Sequence, residues 1–389
     1  MLKKIYLMMV TLLDKLFLFI KPKYQVTYFM SFSDNQNLID KLINKFSVAN
    51  ILIVYRPYLN KEIKQIVKNN PKLNAQKLCF FDAFHFVLSI KQSKVVLFDN
   101  YFPELSAIKK QVYNYFFQIW HANGAIKAFG WDDPTTYRRS EADQIRFQKV
   151  YDSFDQIVVG SEAMAEVFKQ SWHVKPSQID KIGYWRSDKF FQERKNIENK
   201  KKILKKFSYL NGKKIILYAP TYRKNVTFKF PINWNQLNIP EGYIMIIRLH
   251  PHLREKEQDM VITHPNVITL PSDVSTSNLL CISDVLITDY SSVAFDFSLL
   301  SSAKKLVLFT FDLEQYDKTV GLQSIFIKKF KNYFVNNITE LNKRLLSNDC
   351  VAEKELINNL NDEWNTFNDG HATDRLINQI EKVLYENNN

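Results

Sequence analysis

Glycine, and the short motifs through which glycine-rich loops bind nucleotides, are scarce in this chain. Its 389 residues include only eight glycines, and neither G-x-G-x-x-G nor G-x-x-x-x-G-K-[ST] occurs. Dinucleotide-binding and P-loop proteins use these glycines to bring the backbone close to phosphate groups. The sequence therefore argues against both classes.

Motifs that bind metal ions are also missing, since no H-E-x-x-H, C-x-x-C or Asp-x-Asp occurs. An Asp-x-Asp pair is the usual metal anchor of one large class of nucleotide-sugar transferases. Its absence favours a site in which protein cations and helix dipoles hold a diphosphate. We predict neither a metal nor another cofactor.

Cysteine is rare, and its distribution does not indicate a disulfide framework. Cys79, Cys281 and Cys350 lie far apart and are odd in number. This pattern predicts reduced thiols in a cytosolic protein.

The chain is basic and long enough for two domains of ordinary size. It carries a formal charge of +13, and 46% of its residues are hydrophobic. A positive charge of this size fits nucleic acid, an anionic membrane surface or phosphorylated substrates. The aromatic residues lie in apolar runs and do not interleave with the basic residues, so we do not predict a nucleic-acid partner.

The N-terminus is apolar but short for a membrane span. Ile5–Ile20 is interrupted by Asp14 and Lys15, and it falls short of the ~20 residues that cross a bilayer. We predict that residues 1–23 form a helix in the interface of an anionic membrane, and an ordinary packed helix is the alternative. All the motifs below follow Tyr24, so we expect a chain that begins there to fold and to act on a water-soluble substrate.

Apolar runs of strand length alternate with helical stretches twice along the chain. This alternation is typical of parallel sheets whose strands are joined by helical crossovers. The predicted strands are Val26–Met30, Ile51–Tyr55, Val95–Asp99, Phe116–His121, Ile157–Gly160 and Lys181–Tyr184, followed by Ile215–Ala219, Ile244–Leu249, Val267–Leu270, Val285–Thr288 and Leu306–Phe309.

The pattern predicts an α/β protein with two doubly wound, Rossmann-like domains. The first domain covers residues 24–192 and the second covers 193–350, and it begins with a lysine-rich, solvated helix. Residues 351–389 are predicted to form C-terminal helices that return to the first domain.

Polar clusters follow four of the predicted strands directly. They are Trp120-His121-Ala-Asn-Gly-Ala-Ile-Lys127, Ala219-Pro-Thr-Tyr-Arg223, Arg248-Leu-His-Pro251 and Thr288-Asp-Tyr-Ser-Ser292. Ligands bind outside the carboxyl ends of strands in open α/β sheets, so the four clusters are predicted to line one cleft. The helix after Ser292 would offer free backbone N–H groups to a pyrophosphate. Simple capping of the helix by a Ser or Thr side chain is an equally good interpretation of this segment.

These four segments, in this order and at this spacing, resemble the signature blocks of the CDP-glycerol glycerophosphotransferase family. The first block is more similar to the glycerol phosphate primase branch of that family than to its polymerase branch. The resemblance continues through Arg146–Tyr151, Val158–Glu162 and Asp369–Arg375. It covers most of the chain from about Tyr24 onward.

The resemblance implies a GT-B architecture, in which two such domains face a cleft, and an activity in teichoic acid synthesis. Glycerol phosphate would pass from CDP-glycerol to a hydroxyl of an undecaprenyl-diphosphate-linked disaccharide, with release of CMP. The first domain would bind the acceptor and the second the donor. The protein would be peripheral, on the cytoplasmic face of the cell membrane.

The residues of the four segments then receive roles. His121 is the predicted general base, because the unperturbed pKa of histidine suits proton transfer near neutrality. His250, if protonated, and Arg248 are predicted to stabilise or protonate the leaving CMP. Asp289 either accepts from a substrate hydroxyl or caps its turn. The predicted substrate-binding residues are Lys127, Thr221, Arg223, Arg248, Thr288, Asp289, Ser291 and Ser292.

One departure from the family pattern keeps alternatives open. After Tyr316 the family commonly carries an Arg-Gly pair, whereas this chain reads Asp317-Lys318-Thr-Val-Gly321. Lys318 could replace the missing Arg only as a point charge. CDP-ribitol or a nucleotide sugar is therefore an alternative donor. An inactive, membrane-bound scaffold that binds glycolipid is the alternative of another class, and the presence of both His121 and His250 speaks against it.

Overall fold

The computed structural model describes residues 2–223, 231–250, 260–347 and 350–386. The chain divides into two compact units. Unit 1 contains Met1–Ala122, Thr135–Asp188 and Phe367–Asn389, and unit 2 contains Asn123–Pro134 and Lys189–Thr366. Residues 123–134 thus belong to unit 2, whereas the sequence-based division placed them in the first domain.

Within the described ranges, thirteen strands form two parallel sheets, one in each unit. The sheet of unit 1 contains β1 (Tyr24–Met30), β2 (Ile51–Tyr55), β3 (Asn74–Lys77), β4 (Ser93–Phe98), β5 (Tyr115–Gln118), β6 (Gln156–Val158) and β7 (Ile179–Asp180). The sheet of unit 2 contains β8 (Lys214–Ala219), β9 (Tyr243–Ile247), β10 (Val267–Thr269), β11 (Val285–Thr288), β12 (Lys305–Phe309) and β13 (Phe334–Val335). The predicted α/β class is confirmed.

Fourteen α-helices surround these sheets in the part of the chain that the structure describes. They are α1 (Leu2–Leu16), α2 (Gln36–Phe46), α3 (Asn60–Asn69), α4 (Ala83–Lys91), α5 (Glu141–Asp152), α6 (Glu162–Trp172), α7 (Glu193–Lys206), α8 (Thr276–Ile282), α9 (Val293–Ser298), α10 (Leu313–Thr319), α11 (Ser324–Phe330), α12 (Ile338–Leu346), α13 (Cys350–Trp364) and α14 (Ala372–Glu386).

The two sheets share one strand order. It is β3-β2-β1-β4-β5-β6-β7 in unit 1 and β10-β9-β8-β11-β12-β13 in unit 2. In both, the order reverses between the first strand and the fourth, which are neighbours with parallel register. Doubly wound sheets bind ligands at the carboxyl ends of the strands beside this switch point. The strand order therefore singles out the loops after β1 and β4, and the loops after β8 and β11.

The central strands of each sheet are buried because they are apolar on both faces, as parallel sheets with helices on each side require. The central strand β4 is an example, since Val95, Val96, Leu97 and Phe98 are all fully buried. The last two helices go to different units. Helix α14 packs on α2 and β4 of unit 1, whereas α13 packs on α9 and β12 of unit 2.

Helix α1 is anchored to unit 1 through one side. Val10 packs on Ala83 and Val87 of α4. Asp14, which interrupts the apolar run, forms a buried ion pair with Lys91 at 2.7 Å. None of the helices in the described ranges is long and apolar enough to cross a membrane. The predicted N-terminal helix exists, and its contact with a membrane stays a prediction.

Candidate active site

A buried aspartate occupies the switch point of unit 1. Asp99 follows β4 directly, and its carboxylate accepts hydrogen bonds from the backbone N–H groups of Ser31 (2.9 Å) and Phe32 (3.1 Å) after β1. The Tyr28 hydroxyl donates to the same carboxylate at 3.0 Å. Burial raises the pKa of Asp99, whereas the charge of Arg186 and these hydrogen bonds lower it. The carboxylate therefore ties the ends of β1 and β4 together.

His121 lies beside this aspartate, three residues after the end of β5. Its Nδ1 is 3.0 Å from the backbone oxygen of Asp99, and its ring stacks on Phe32 with centroids 4.0 Å apart. A carbonyl oxygen only accepts, so Nδ1 must carry the proton of the neutral ring, and the lone pair lies on Nε2. This is the tautomer in which Nε2 can act as a base.

Arg186 completes the site in unit 1. Its guanidinium is buried, lies 3.4 Å from the Asp99 carboxylate and donates to the side chain of Asn35 at 2.6 Å. It also donates to the backbone oxygen of Trp120 at 3.4 Å. Arg186 thus contacts the residue before His121 and the aspartate that holds the His121 ring. Sequence reasoning missed both Asp99 and Arg186 as site residues.

The switch point of unit 2 is built around a second buried aspartate. Asp289 follows β11, and its carboxylate accepts from the backbone N–H groups of Thr221 (2.8 Å) and Tyr290 (2.7 Å). The Thr288 hydroxyl donates to the backbone oxygen of Ala219 at 2.7 Å. These bonds join the carboxyl ends of β8 and β11, as Asp99 joins β1 and β4.

Arg223 is held by two carboxylates. It donates to Asp289 at 2.7 Å and to both oxygens of Asp312 at 2.9 and 3.0 Å, and it also donates to the backbone oxygen of Thr221. Its five N–H donors are thus mostly committed. The hydrogen bonds to Asp312 and the charge of Asp289 raise the pKa of Arg223 further, against the effect of burial.

Aromatic rings surround the same guanidinium. The rings of Phe311, Tyr316 and Tyr290 lie 4.8, 5.4 and 5.8 Å from the Arg223 carbon Cζ. Tyr290 and Tyr316 stack with centroids 4.1 Å apart, and the Tyr290 hydroxyl donates to Asp312 at 3.2 Å. Stacking and bidentate pairing fix the plane of the cation, so Arg223 organises the loop as well as charging it.

The hydroxyl groups of this loop have unequal settings. The Thr221 hydroxyl is buried and lacks a hydrogen-bond partner among the described residues. Ser291 and Ser292 are half-buried at the start of α9, and the side chain of Ser292 makes no capping hydrogen bond. The side chain of Ser292 therefore does not cap this helix. These hydroxyls remain candidates for a ligand's oxygens.

Lys127 belongs to the same region of unit 2. Its backbone pairs with Leu322, and Ala128 N–H donates to the backbone oxygen of Gly321 at 3.0 Å. Gly321 has φ +82°, and a Cβ there would lie 2.9 Å from Ala128, which explains glycine at this position. Burial lowers the pKa of Lys127, the nearby charge of Arg223 lowers it further, and Asp289 raises it.

The third of the four quoted segments, Arg248–Pro251, is only partly described. Arg248 follows β9, is buried, and donates to the backbone oxygens of Leu270 (3.0 Å) and Pro271 (3.2 Å). His250 is half-buried, with its ring 5.8 Å from that of Tyr222. The end of this segment, Pro251, lies outside the described residues. Arg248 therefore supports the loop after β10, and its predicted role toward CMP stays a prediction.

The structure brings Thr221, Arg223, Thr288 and Asp289 together, whereas His121 belongs to unit 1. Lys318, considered as a substitute for the missing Arg, is exposed on α10. Sequence reasoning missed Asp312 and the aromatic rings around Arg223. A usable signal existed, because Asp99 and Asp312 both follow apolar strands, as the four quoted segments do.

The family profile for CDP-glycerol:poly(glycerophosphate) glycerophosphotransferases matches residues 14–382. The chain belongs to this family. A teichoic acid glycerol-phosphate primase of Bacillus subtilis (strain 168) is 32% identical in an alignment of 384 residues that covers 94% of this chain and 93% of the relative. A teichoic acid ribitol-phosphate primase of Bacillus spizizenii (strain ATCC 23059 / NRRL B-14472 / W23) is 28% identical and covers 75% of each chain.

Solved structures agree with the fold. The wall teichoic acid polymerase TagF, in a variant soaked with CDPG for 15 minutes, superimposes with a TM-score of 0.74 at 21% identity, covering 100% of this chain and 97% of that one. The family predicted from the four segments is confirmed. This glycerophosphotransferase-family chain is an enzyme, and its relatives act in teichoic acid synthesis.

Proposed function

We propose that the enzyme transfers glycerol phosphate from CDP-glycerol to a hydroxyl of an undecaprenyl-diphosphate-linked disaccharide and releases CMP. The observation that carries this proposal is the relationship to a glycerol-phosphate primase over 94% of the chain. The geometry at His121 adds to it, because that imidazole is held in the tautomer that a general base requires.

In the proposed reaction the acceptor oxygen attacks the phosphorus that carries glycerol. The bond between this phosphorus and the bridging oxygen breaks, and CMP leaves with that oxygen. Nε2 of His121 takes the proton of the acceptor hydroxyl as the new P–O bond forms. Asp99 and Phe32 fix the ring, so no reorientation is needed at that moment.

The donor is assigned to the switch point of unit 2. The half-buried hydroxyls of Ser291 and Ser292 and the cation of Lys127 would contact the diphosphate oxygens. Arg223 holds Asp289 and Asp312 in place and so fixes the loops that carry these groups. His250 and Arg248 are proposed to act on the leaving CMP. These groups supply charge stabilisation, the main requirement of phosphoryl transfer.

We propose a peripheral location on the cytoplasmic face of the membrane. Ile5, Met8, Leu12 and Leu16 of α1 are all more than half exposed. They recur at helical spacing and form one apolar stripe. Lysines 3 and 4, at the start of α1, and lysines 21 and 23, in the segment between α1 and β1, would meet anionic headgroups.

A donor screen tests the proposed reaction. The purified enzyme would receive a synthetic lipid-linked disaccharide with CDP-glycerol, CDP-ribitol or a nucleotide sugar, and CMP and the mass of the product would be measured. We expect CMP and a product heavier by one glycerol phosphate with CDP-glycerol alone. No product with any donor would favour the inactive scaffold.

CDP-ribitol is the second candidate donor. Two observations favour it: the segment after Tyr316 has no Arg, and a ribitol-phosphate primase is 28% identical over 75% of the chain. Product formation with CDP-ribitol but not with CDP-glycerol would decide for this alternative.

A further inference from the structure

A groove of about 590 Å³ opens in unit 1 between α1 and the carboxyl edge of the sheet. Its walls come from the first two turns of α1, the loop after β2, the turn before α4 and the loop after β4. The residues that define this α1 groove are Tyr6, Arg56, Tyr58, Phe81, Tyr101 and Glu104. Several of these side chains are aromatic, and the groove holds both a cation and a carboxylate.

The inner wall carries polar atoms whose hydrogen-bonding capacity is unused. Glu104 is only 6% exposed, and its Oε1 accepts from the Tyr6 hydroxyl at 3.0 Å. Its Oε2 and the Tyr101 hydroxyl are buried without a hydrogen-bond partner among the described residues. Buried polar atoms are nearly always paired in folded proteins, so these two atoms indicate a ligand that brings hydroxyl groups. The Glu104 carboxylate does not suit an anion, so a phosphate group of the ligand would contact Arg56 instead.

Arg56 supplies the positive charge of the groove. Its guanidinium lies 5.2 Å from the ring centroids of both Phe80 and Phe102. Within the described ranges it has no ion-pair partner, unlike Arg186 and Arg223. An unpaired guanidinium between aromatic rings is suited to a phosphate group of a ligand.

Residues of the groove contact or belong to the loops that hold His121. The Tyr58 hydroxyl donates to the backbone oxygen of Ser31 at 2.7 Å, next to the residue that stacks on the imidazole. Tyr101 lies two residues after Asp99, whose backbone oxygen holds His121 Nδ1. A ligand in the α1 groove therefore contacts the same two turns that position the proposed base.

Exposed apolar side chains continue from the groove outward. Phe80 and Phe81 are 73% and 69% exposed, and Phe81 packs edge-on against Tyr6 of α1. The apolar stripe of α1 begins at Ile5, one residue before Tyr6. One ligand that matches all these features is an amphiphile with a sugar head, a phosphate link and an apolar tail.

We propose that the α1 groove binds the sugar and diphosphate of a lipid-linked saccharide, with sugar hydroxyls on Glu104 and Tyr101, diphosphate on Arg56 and the lipid tail along α1. The assignment rests on the proposed function, and it names where that reaction's acceptor is held. It makes α1 a wall of the substrate site as well as a membrane contact.

Direct binding to an inactive enzyme tests the groove without relying on turnover. In the His121→Gln background, calorimetry would compare three probes: a disaccharide linked through diphosphate to a short prenyl chain, its methyl glycoside, and the prenyl diphosphate without sugar. We expect Tyr101→Phe to weaken both sugar probes about two- to tenfold, and Arg56→Gln to weaken both diphosphate probes about ten- to a hundredfold.

Tyr209→Phe is the matched control, because this tyrosine is 55% exposed and lies in unit 2. Unchanged binding of all three probes in both groove variants would overturn the proposal, as would a Tyr101→Phe effect of equal size on the probe without sugar. A lower melting temperature of Tyr101→Phe would also count against it, since it would give the hydroxyl a structural role. CDP-glycerol binding, measured in the same samples, separates failure of the groove from failure of the proposed reaction.

Discussion

At the carboxyl edge of each sheet a buried aspartate joins two strand ends, but the two edges differ in the side chains that they offer to a ligand. In unit 1, Asp99 after β4 accepts from backbone N–H groups after β1 and pairs with Arg186. In unit 2, Asp289 after β11 accepts from the N–H of Thr221 after β8 and pairs with Arg223. Each aspartate closes the switch point of its sheet by joining two strand ends.

The difference lies in the cation. Arg186 is buried and pairs with Asp99, and unit 1 offers the imidazole ring of His121 at this edge. Arg223 is less buried and lies in the loop after β8. Lys127 is close enough for the charge of Arg223 to lower its pKa. A neutral base suits a hydroxyl that must lose a proton, and clustered cations suit a diphosphate. On the proposed function, the same topology would therefore serve the acceptor in unit 1 and the donor in unit 2.

The largest expected effect is that of His121→Gln, which should impair transfer without impairing donor binding. His121→Gln should lower the transfer rate by about 10²- to 10⁴-fold, because the acceptor hydroxyl loses its base. Donor affinity should stay within twofold (~0.4 kcal/mol), because the donor is assigned to unit 2. Single-turnover assays and calorimetry with CDP-glycerol measure the two quantities.

His264→Gln is the matched control for this change. His264 precedes β10 and accepts from the backbone N–H of Asn266, away from the carboxyl edge. Near-normal turnover of His121→Gln would remove His121 from the mechanism.

Replacing the two aspartates tests whether they are equivalent in folding and different in function. Asp99→Asn should destabilise the protein by about 3–5 kcal/mol, because the buried Arg186 loses the carboxylate that it pairs with. Asp289→Asn should destabilise it less, because Arg223 keeps its pairing with Asp312. Asp99→Asn should then lower kcat, whereas Asp289→Asn should raise the KM for the donor. Thermal melts and steady-state kinetics give both readouts.

Asp284→Asn serves as the control in this series. Asp284 accepts from the backbone N–H of Ile215 and pairs with Lys304 at the opposite edge of the unit 2 sheet. It should affect stability without changing either kinetic constant. The same kinetic pattern in Asp99→Asn and Asp289→Asn would break the distinction between the two sites.

The strands that form these edges could be predicted because buried parallel strands are apolar runs. Two strands were missed: β3 reads Asn-Ala-Gln-Lys and alternates between exposed and half-buried residues, and β13 has two residues. The strand predicted at Lys181–Tyr184 was misplaced, since β7 is Ile179–Asp180. Helix α7 spans Glu193–Lys206, as predicted from its lysine-rich pattern.

Side-chain pairing could not be predicted, because its partners are distant in sequence. Nothing near Asp99 indicates Arg186, and nothing near Asp14 indicates Lys91. The second pair changes one expectation. A chain that begins near Tyr24 would lose the Asp14–Lys91 pair, the packing of Val10 on α4 and a wall of the α1 groove, so we now expect it to be unstable and inactive.

A smaller effect concerns the geometry of the unit 2 cation. Arg223→Lys keeps the charge but cannot hold Asp289 and Asp312 together, so we expect the KM for the donor to rise about tenfold (~1.4 kcal/mol). Arg186→Lys, the matching change in unit 1, should leave the donor KM unchanged and lower kcat. Steady-state kinetics at saturating acceptor would measure both, and equal effects on the donor KM would contradict the assignment.

The smallest effect is a proton taken up when the donor binds. Burial lowers the pKa of Lys127 from its ordinary value of 10.5, so part of the free enzyme has a neutral Lys127 at alkaline pH. A bound diphosphate favours the charged form and raises this pKa again. Between the lowered and the raised pKa, donor binding should therefore take up a proton, and donor affinity should fall as the pH rises.

Calorimetry in buffers of different ionisation enthalpy counts that proton. Lys127→Gln should abolish the uptake, and Lys318→Gln, at an exposed position on α10, should not; uptake that persists in Lys127→Gln would assign the proton to another group.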